Sequence, residues 1–68
     1  MLARPGDAAK LYAKASDSQP GRGDLALEAA LWWKRAGDRE QALLMARRAF
    51  EVGEPHAAEL VESLSKSR

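Results

Sequence analysis

Residues 24–53 read DLALEAALWWKRAGDREQALLMARRAFEVG, and this stretch decides the fold. It is dominated by alanine, leucine, glutamate and arginine, which are strong helix formers. Gly37 divides it, because a glycine accepts the left-handed conformation in which many helices end. Asp24 and Asp38 stand immediately before the two apolar runs, where each can act as an N-cap. The stretch therefore predicts an antiparallel hairpin of two helices, and these span 25–36 and 39–52.

Weaker signals on either side predict two further helices. A first helix is expected over 8–15, since apolar residues there recur at the spacing of one helical face. A fourth is expected over 55–65, with Pro55 at its first position, where the missing N–H costs nothing. Valine occurs twice and isoleucine and threonine never, which disfavours a sheet. Residues 1–68 are thus predicted to form a single all-α domain of three to four antiparallel helices.

The composition argues against several classes of function. Eleven basic and ten acidic residues give a formal charge of +1, which is too balanced for a dedicated nucleic-acid binder. The chain has no cysteine and one histidine, so we expect no disulfide, metal or cofactor. His56 lies beside Glu54 without a second base, and we predict no catalytic residue and no enzyme. With no membrane-spanning run and no signal-peptide pattern, the expected location is the cytoplasm, away from membranes.

The tryptophan pair and the alanines predict how the hairpin packs. Ala42, Ala46 and Ala49 recur on one face of the third helix, and their small side chains let a neighbouring helix approach closely. We predict that Trp33 fills the space over this row. Adjacent residues of a helix point about 100° apart. Trp32 is therefore expected to be partly exposed, where it could anchor an interface.

The hairpin resembles the tetratricopeptide repeat (TPR). The positions that carry the resemblance are Gly37-Asp38 at the turn, Ala30 and Trp33 in the second helix, and Ala42 and Ala49 in the third. A period of 34 residues places Ala8, Tyr12 and Ala15 in equivalent positions of a preceding repeat. Other helical-hairpin solenoids share the small residues and the glycine turn. The resemblance implies a helical hairpin with flanking helices. It also implies that this hairpin is a scaffold, and that the second helix of the chain lines a surface to which protein partners bind.

The second helix supplies the predicted partner-binding residues. They are Leu27, Leu31, Lys34 and Arg35, with Trp32 beside them. Two leucines followed by two cations suit an amphipathic helix or a peptide with an acidic or carboxylate end. The alternative is that the leucines pack on the first or fourth helix and that the cations are only solvated.

Two other functions compete with a peptide-binding module. The chain could be a homo-oligomerising scaffold, for example a homodimer formed through Trp32. It could also be a small DNA-associated regulator, which would need a basic face on one helix. The basic and acidic residues instead interleave along the chain, which is typical of a solvated surface. Binding to another protein or to itself is therefore the predicted role, without nucleic acid.

Overall fold

The computed structural model describes residues 4–66, which form four α-helices. They are α1 (Pro5–Ser18), α2 (Gly23–Arg35), α3 (Arg39–Glu51) and α4 (Ala57–Lys66). The prediction of an all-α fold is confirmed, and the described part of the chain contains no strand. The first helix is longer than predicted at both ends, since Pro5 already occupies its first turn and the helix continues to Ser18.

The turn between α2 and α3 follows from two residues. Gly37 has a φ of 84°, which a glycine adopts without the steric cost of a side chain. The Asp38 N–H donates to the Trp33 carbonyl at 3.0 Å and the Gly37 N–H to the Lys34 carbonyl at 3.1 Å, the two bonds of a Schellman motif. The Asp38 carboxylate then accepts the Gln41 N–H at 3.1 Å and caps α3.

The start of α2 differs from the prediction. The helix begins at Gly23 and Asp24 lies in its first turn rather than at the N-cap. The Arg22 guanidinium holds this carboxylate with two hydrogen bonds, of 3.0 and 2.8 Å. The same contact lowers the pKa of Asp24 below its usual value, chiefly through the hydrogen bond from Arg22. Arg22 is therefore the main partner of this carboxylate, which provides no side-chain cap for α2.

The start of α4 also differs. The predicted first residue, Pro55, lies two positions before the helix, which begins at Ala57. Gly53 closes α3 with a φ of 91°, and the Ala57 N–H donates to the Glu54 carbonyl at 3.1 Å. Pro55 is thus inside a separate turn, because the bonds that end α3 occupy the backbone up to Glu54.

The four helices build a flat slab. Each helix packs chiefly against its neighbours along the chain, and the Cα atoms extend over 34 × 31 × 15 Å. An ion pair between Asp17 and Arg48 links α1 with α3 on one side of the slab. On the other side, the end of α4 at Leu64 lies near Lys34 and the α2–α3 turn. Successive helices therefore alternate between two layers, and the outer side of each layer is open to solvent.

Small side chains make up most of the core. Eight of the eleven buried apolar residues within 4–66 are alanines, so the helix axes can approach closely. The three alanines of α3 predicted to form a row, Ala42, Ala46 and Ala49, are fully buried. Trp33 is partly buried and packs against the cluster that contains them. The predicted position of Trp33 directly over the row of three alanines stays a prediction.

Candidate functional site

The outer face of α2 is the candidate site, because most of its predicted residues come together there. Leu31, Trp32, Lys34 and Arg35 line one shallow hollow. Leu31 remains 41% exposed, and both cations lie in solvent. The hollow has a volume of about 580 Å³. An apolar side chain is thus held in the open beside two positive charges.

Leu27 is the one predicted site residue that does not line this hollow. It is partly buried and packs against the core cluster. On the helix it lies closer to the inward-facing Ala26 and Ala30 than Trp32 does, since successive residues turn by 100°. For Leu27 the alternative of packing between helices therefore describes its surroundings better than the predicted apolar strip does.

Glu28 takes the place that the prediction gave to Leu27. It lines the hollow together with Leu31 and Trp32, which lie three and four residues further along α2. This spacing was the signal in the sequence that could have identified it. An acidic residue at one end and cations at the other give the hollow opposite charges along the helix axis.

Arg35 and Trp32 form the most specific contact of this face. The guanidinium carbon of Arg35 lies 5.3 Å from the centre of the Trp32 ring, within the range of a cation–π interaction. Such a contact holds the long arginine side chain over the ring, so that less conformational freedom is lost when the guanidinium binds a carboxylate. Trp32 is partly exposed, as the sequence predicted, and Trp33 is equally neither fully buried nor fully exposed.

The cations around the α2–α3 turn carry no acidic partner in the described part of the chain. The salt bridges of residues 4–66 involve neither Lys34 nor Arg35, and Arg39 across the turn is equally unpaired. Lys34 and Arg39 border a second hollow together with Gly37 and Leu64. Both hollows therefore meet at Lys34, where positive charge is available to an external anion.

The groups considered for catalysis and metal binding lie apart from this face. His56 is exposed, and its Nδ1 is 3.1 Å from the Glu54 carboxylate. Neither residue lines one of the two hollows at Lys34. Among residues 4–66 there is no group of three or more histidine, cysteine or acidic side chains that could hold a metal ion. No helix within this range is long and apolar enough to cross a membrane.

Comparisons with protein-family models, with curated proteins and with solved structures find no match for this chain. The TPR resemblance therefore rests on the residues quoted above, and it stays a prediction.

Proposed function

We propose that this chain is a TPR-like protein–protein interaction module that binds an acidic peptide through the outer face of α2. The carrying observation is the half-exposed Leu31 beside Lys34 and an Arg35 guanidinium that is stacked on Trp32. A peptide with an apolar residue next to a carboxylate matches both features at once. A cytoplasmic location stays a prediction from the sequence.

The charges of this face favour an acidic ligand over a basic one. Lys34 and Arg35 occupy the last turn of α2, where the helix dipole stabilises them as cations. A carboxylate can accept two hydrogen bonds from one guanidinium, a geometry that a point charge does not offer. Because the face is shallow and open, we expect weak and salt-dependent binding.

The test is a titration followed by tryptophan fluorescence. The probe is a synthetic amphipathic peptide of leucine and glutamate with a free C-terminal carboxylate, and lysine replaces glutamate in the control peptide. The acidic peptide should change the emission and the basic peptide should not. We expect Lys34→Glu to weaken binding by about tenfold or more, because a charge-assisted hydrogen bond becomes a repulsion.

The matched control is Lys14→Glu, which makes the same charge change at an exposed position of α1. It should leave most of the affinity intact. An equal loss in both variants would mean that only the net charge matters, and the proposed site would then be wrong.

A second variant separates binding from folding. Leu31→Glu should keep the helical circular dichroism of the wild type, since Leu31 is half-exposed, and should abolish the fluorescence response. Loss of the fold in this variant would place Leu31 in the core and contradict the proposal. The competing role is a scaffold that self-associates through Trp32. In that case the molecular mass should increase with protein concentration, and Trp32→Ala should remove this increase.

A further inference from the structure

The outer face of α3 exposes more apolar surface than the outer face of α2. Leu44 is 60% exposed and Phe50 is 58% exposed, although they lie in the middle and last turn of a packed helix. Glu40, Leu43, Leu44 and Arg47 border one hollow on this face. Phe50 borders the next hollow together with Ala58, Val61 and Glu62 of α4. Phe50 lies six positions after Leu44 and points about 120° away from it, towards α4. The outer face of α3 therefore consists of Glu40, Leu44 and Arg47, with Leu43 at its edge.

Glu40, Leu44 and Arg47 point away from the core, and Leu44 and Arg47 also border a groove with Ala13 and Asp17 of α1. The four buried residues of α3 form its opposite side and are Ala42, Met45, Ala46 and Ala49. Arg48 turns sideways towards α1, where it pairs with Asp17. The face formed by Glu40, Leu44 and Arg47 is therefore free to meet a flat partner. Neither Glu40 nor Arg47 takes part in the salt bridges of residues 4–66.

The order of charges along α3 is complementary to itself. In a two-fold interface the same patch is used twice, so that residue i meets residue j and residue j meets residue i. When two copies of α3 lie antiparallel with their centre between Leu43 and Leu44, each Glu40 comes opposite Arg47 of the second copy. The two copies of Leu44 then meet beside the two-fold axis, with the half-buried Leu43 at the edge of the contact, and both ion pairs flank this apolar centre.

From this match we infer that the outer face of α3 binds a second copy of this chain, in an antiparallel two-fold dimer. The occupant is a copy rather than an unrelated helix because one fixed register satisfies Glu40 and Arg47 simultaneously. The inference concerns a different helix from the proposed peptide site. A dimer of this kind leaves the outer face of α2 free, and each interface can fail without the other.

The experiment is a charge exchange read out by sedimentation equilibrium. The wild type should pass from monomer to dimer as its concentration rises. Glu40→Arg should weaken the dimer by about tenfold or more, because each of the two ion pairs becomes a repulsion between arginines. Arg47→Glu should have the same effect through paired glutamates. Both positions are exposed, and circular dichroism checks that the variants stay folded.

The decisive sample is an equimolar mixture of the two single variants. Glu40→Arg carries two cations and Arg47→Glu carries two anions, so the mixture should form a heterodimer that neither forms alone. The double exchange, Glu40→Arg with Arg47→Glu in one chain, should dimerise again. Control variants with the same charge changes on α1, Lys14→Glu and Asp7→Arg, should behave as the wild type does.

Three outcomes would overturn the inference. The first is a wild type that stays monomeric at every concentration. The second is a pair of single variants that dimerise as the wild type does. The third is a dimer that only Trp32→Ala removes, which would place self-association on α2.

Discussion

At the scale of single residues, two buried polar groups of the described range 4–66 lack hydrogen-bond partners. The Ser16 hydroxyl is fully buried on α1 and the Trp33 indole N–H is buried on α2, and neither finds an acceptor or donor in the described part of the chain. A buried polar group without a partner loses its hydration and gains nothing in exchange. These two atoms therefore oppose the packing that surrounds them.

Replacing Ser16 with alanine should consequently stabilise the protein. The change removes the unsatisfied hydroxyl and adds a better helix former, and we expect a gain of about 1 kcal/mol in the free energy of unfolding. Urea denaturation measures it. Ser63→Ala, at an exposed position inside α4, is the control that gains helix propensity alone and should gain less. A Ser16→Ala variant less stable than the wild type would contradict this account of the interior.

Gly23 has a steric role that its place in the sequence does not reveal. A Cβ at this position would meet Val52 Cγ2 at 2.8 Å and Glu54 Cβ at 3.0 Å, because the start of α2 lies against the end of α3. We expect Gly23→Ala to cost about 1–3 kcal/mol, the usual range for overpacking. Thermal unfolding of Gly21→Ala is the matched control, since that Cβ would meet nothing within 4 Å. Equal stability of both variants would disprove the close approach.

Local signals explain which residue roles the sequence could predict. The turn at Gly37 and the cap at Asp38 depend only on neighbours along the chain, and both were predictable. The cap at Asp24 was predicted wrongly, because the competing partner, Arg22, has a side chain whose position the pattern does not specify. The close contacts of Gly23 and the burial of Ser16 depend on which helices pack together, and periodicity carries no such information.

At the scale of the elements, the two aspartates at the starts of the central helices differ in function. Asp38 caps α3, whereas the Asp24 carboxylate binds an exposed arginine. Asp38→Ala should therefore cost about 1 kcal/mol of stability through the loss of an N-cap. Asp24→Ala should cost less, since surface ion pairs contribute little. Chemical denaturation of both variants compares them, and a larger loss for Asp24→Ala would contradict the assignment of the cap.

The ends of the helices show the limit of prediction at this scale. The central hairpin was predicted within two residues at each end, because glycines with positive φ terminate both helices. The last helix was also predicted within two residues at each end, and only the first helix was less accurate, by three residues at each end. Pro5 and Pro55 are both compatible with a first turn, yet only Pro5 occupies one, and the hydrogen bonds after Gly53 decide the difference.

At the scale of the whole molecule, the flat arrangement of the helices determines which faces can bind. A slab only 15 Å thick between Cα atoms cannot bury the outer side of every helix. Leu31 on α2 and Leu44 and Phe50 on α3 remain exposed for this reason, and so does Leu11 on α1, at 70%. Amphipathic patterns predicted the buried sides. The shape of the slab was not predictable, because it depends on how successive hairpins stack.

The residues of the candidate site were predictable only where they depend on the geometry of α2 itself. Leu31, Lys34 and Arg35 were predicted on one face of α2 because helical geometry alone brings them together. Leu27 was expected beside them and instead packs against the core, since the position of the neighbouring helices decides which edge of α2 is covered. Glu28 lines the site instead, because it lies on the side of α2 that the neighbouring helices leave uncovered.

The most direct test of the central claim is a map of backbone amide shifts in a ¹⁵N-labelled sample titrated with the acidic leucine–glutamate peptide. We predict that the largest shifts lie on α2, at Glu28, Leu31, Trp32 and Arg35, and that the indole N–H of Trp32 moves more than that of Trp33. Shifts concentrated on α3, or spread evenly over all four helices, would contradict the claim that the outer face of α2 is the binding site.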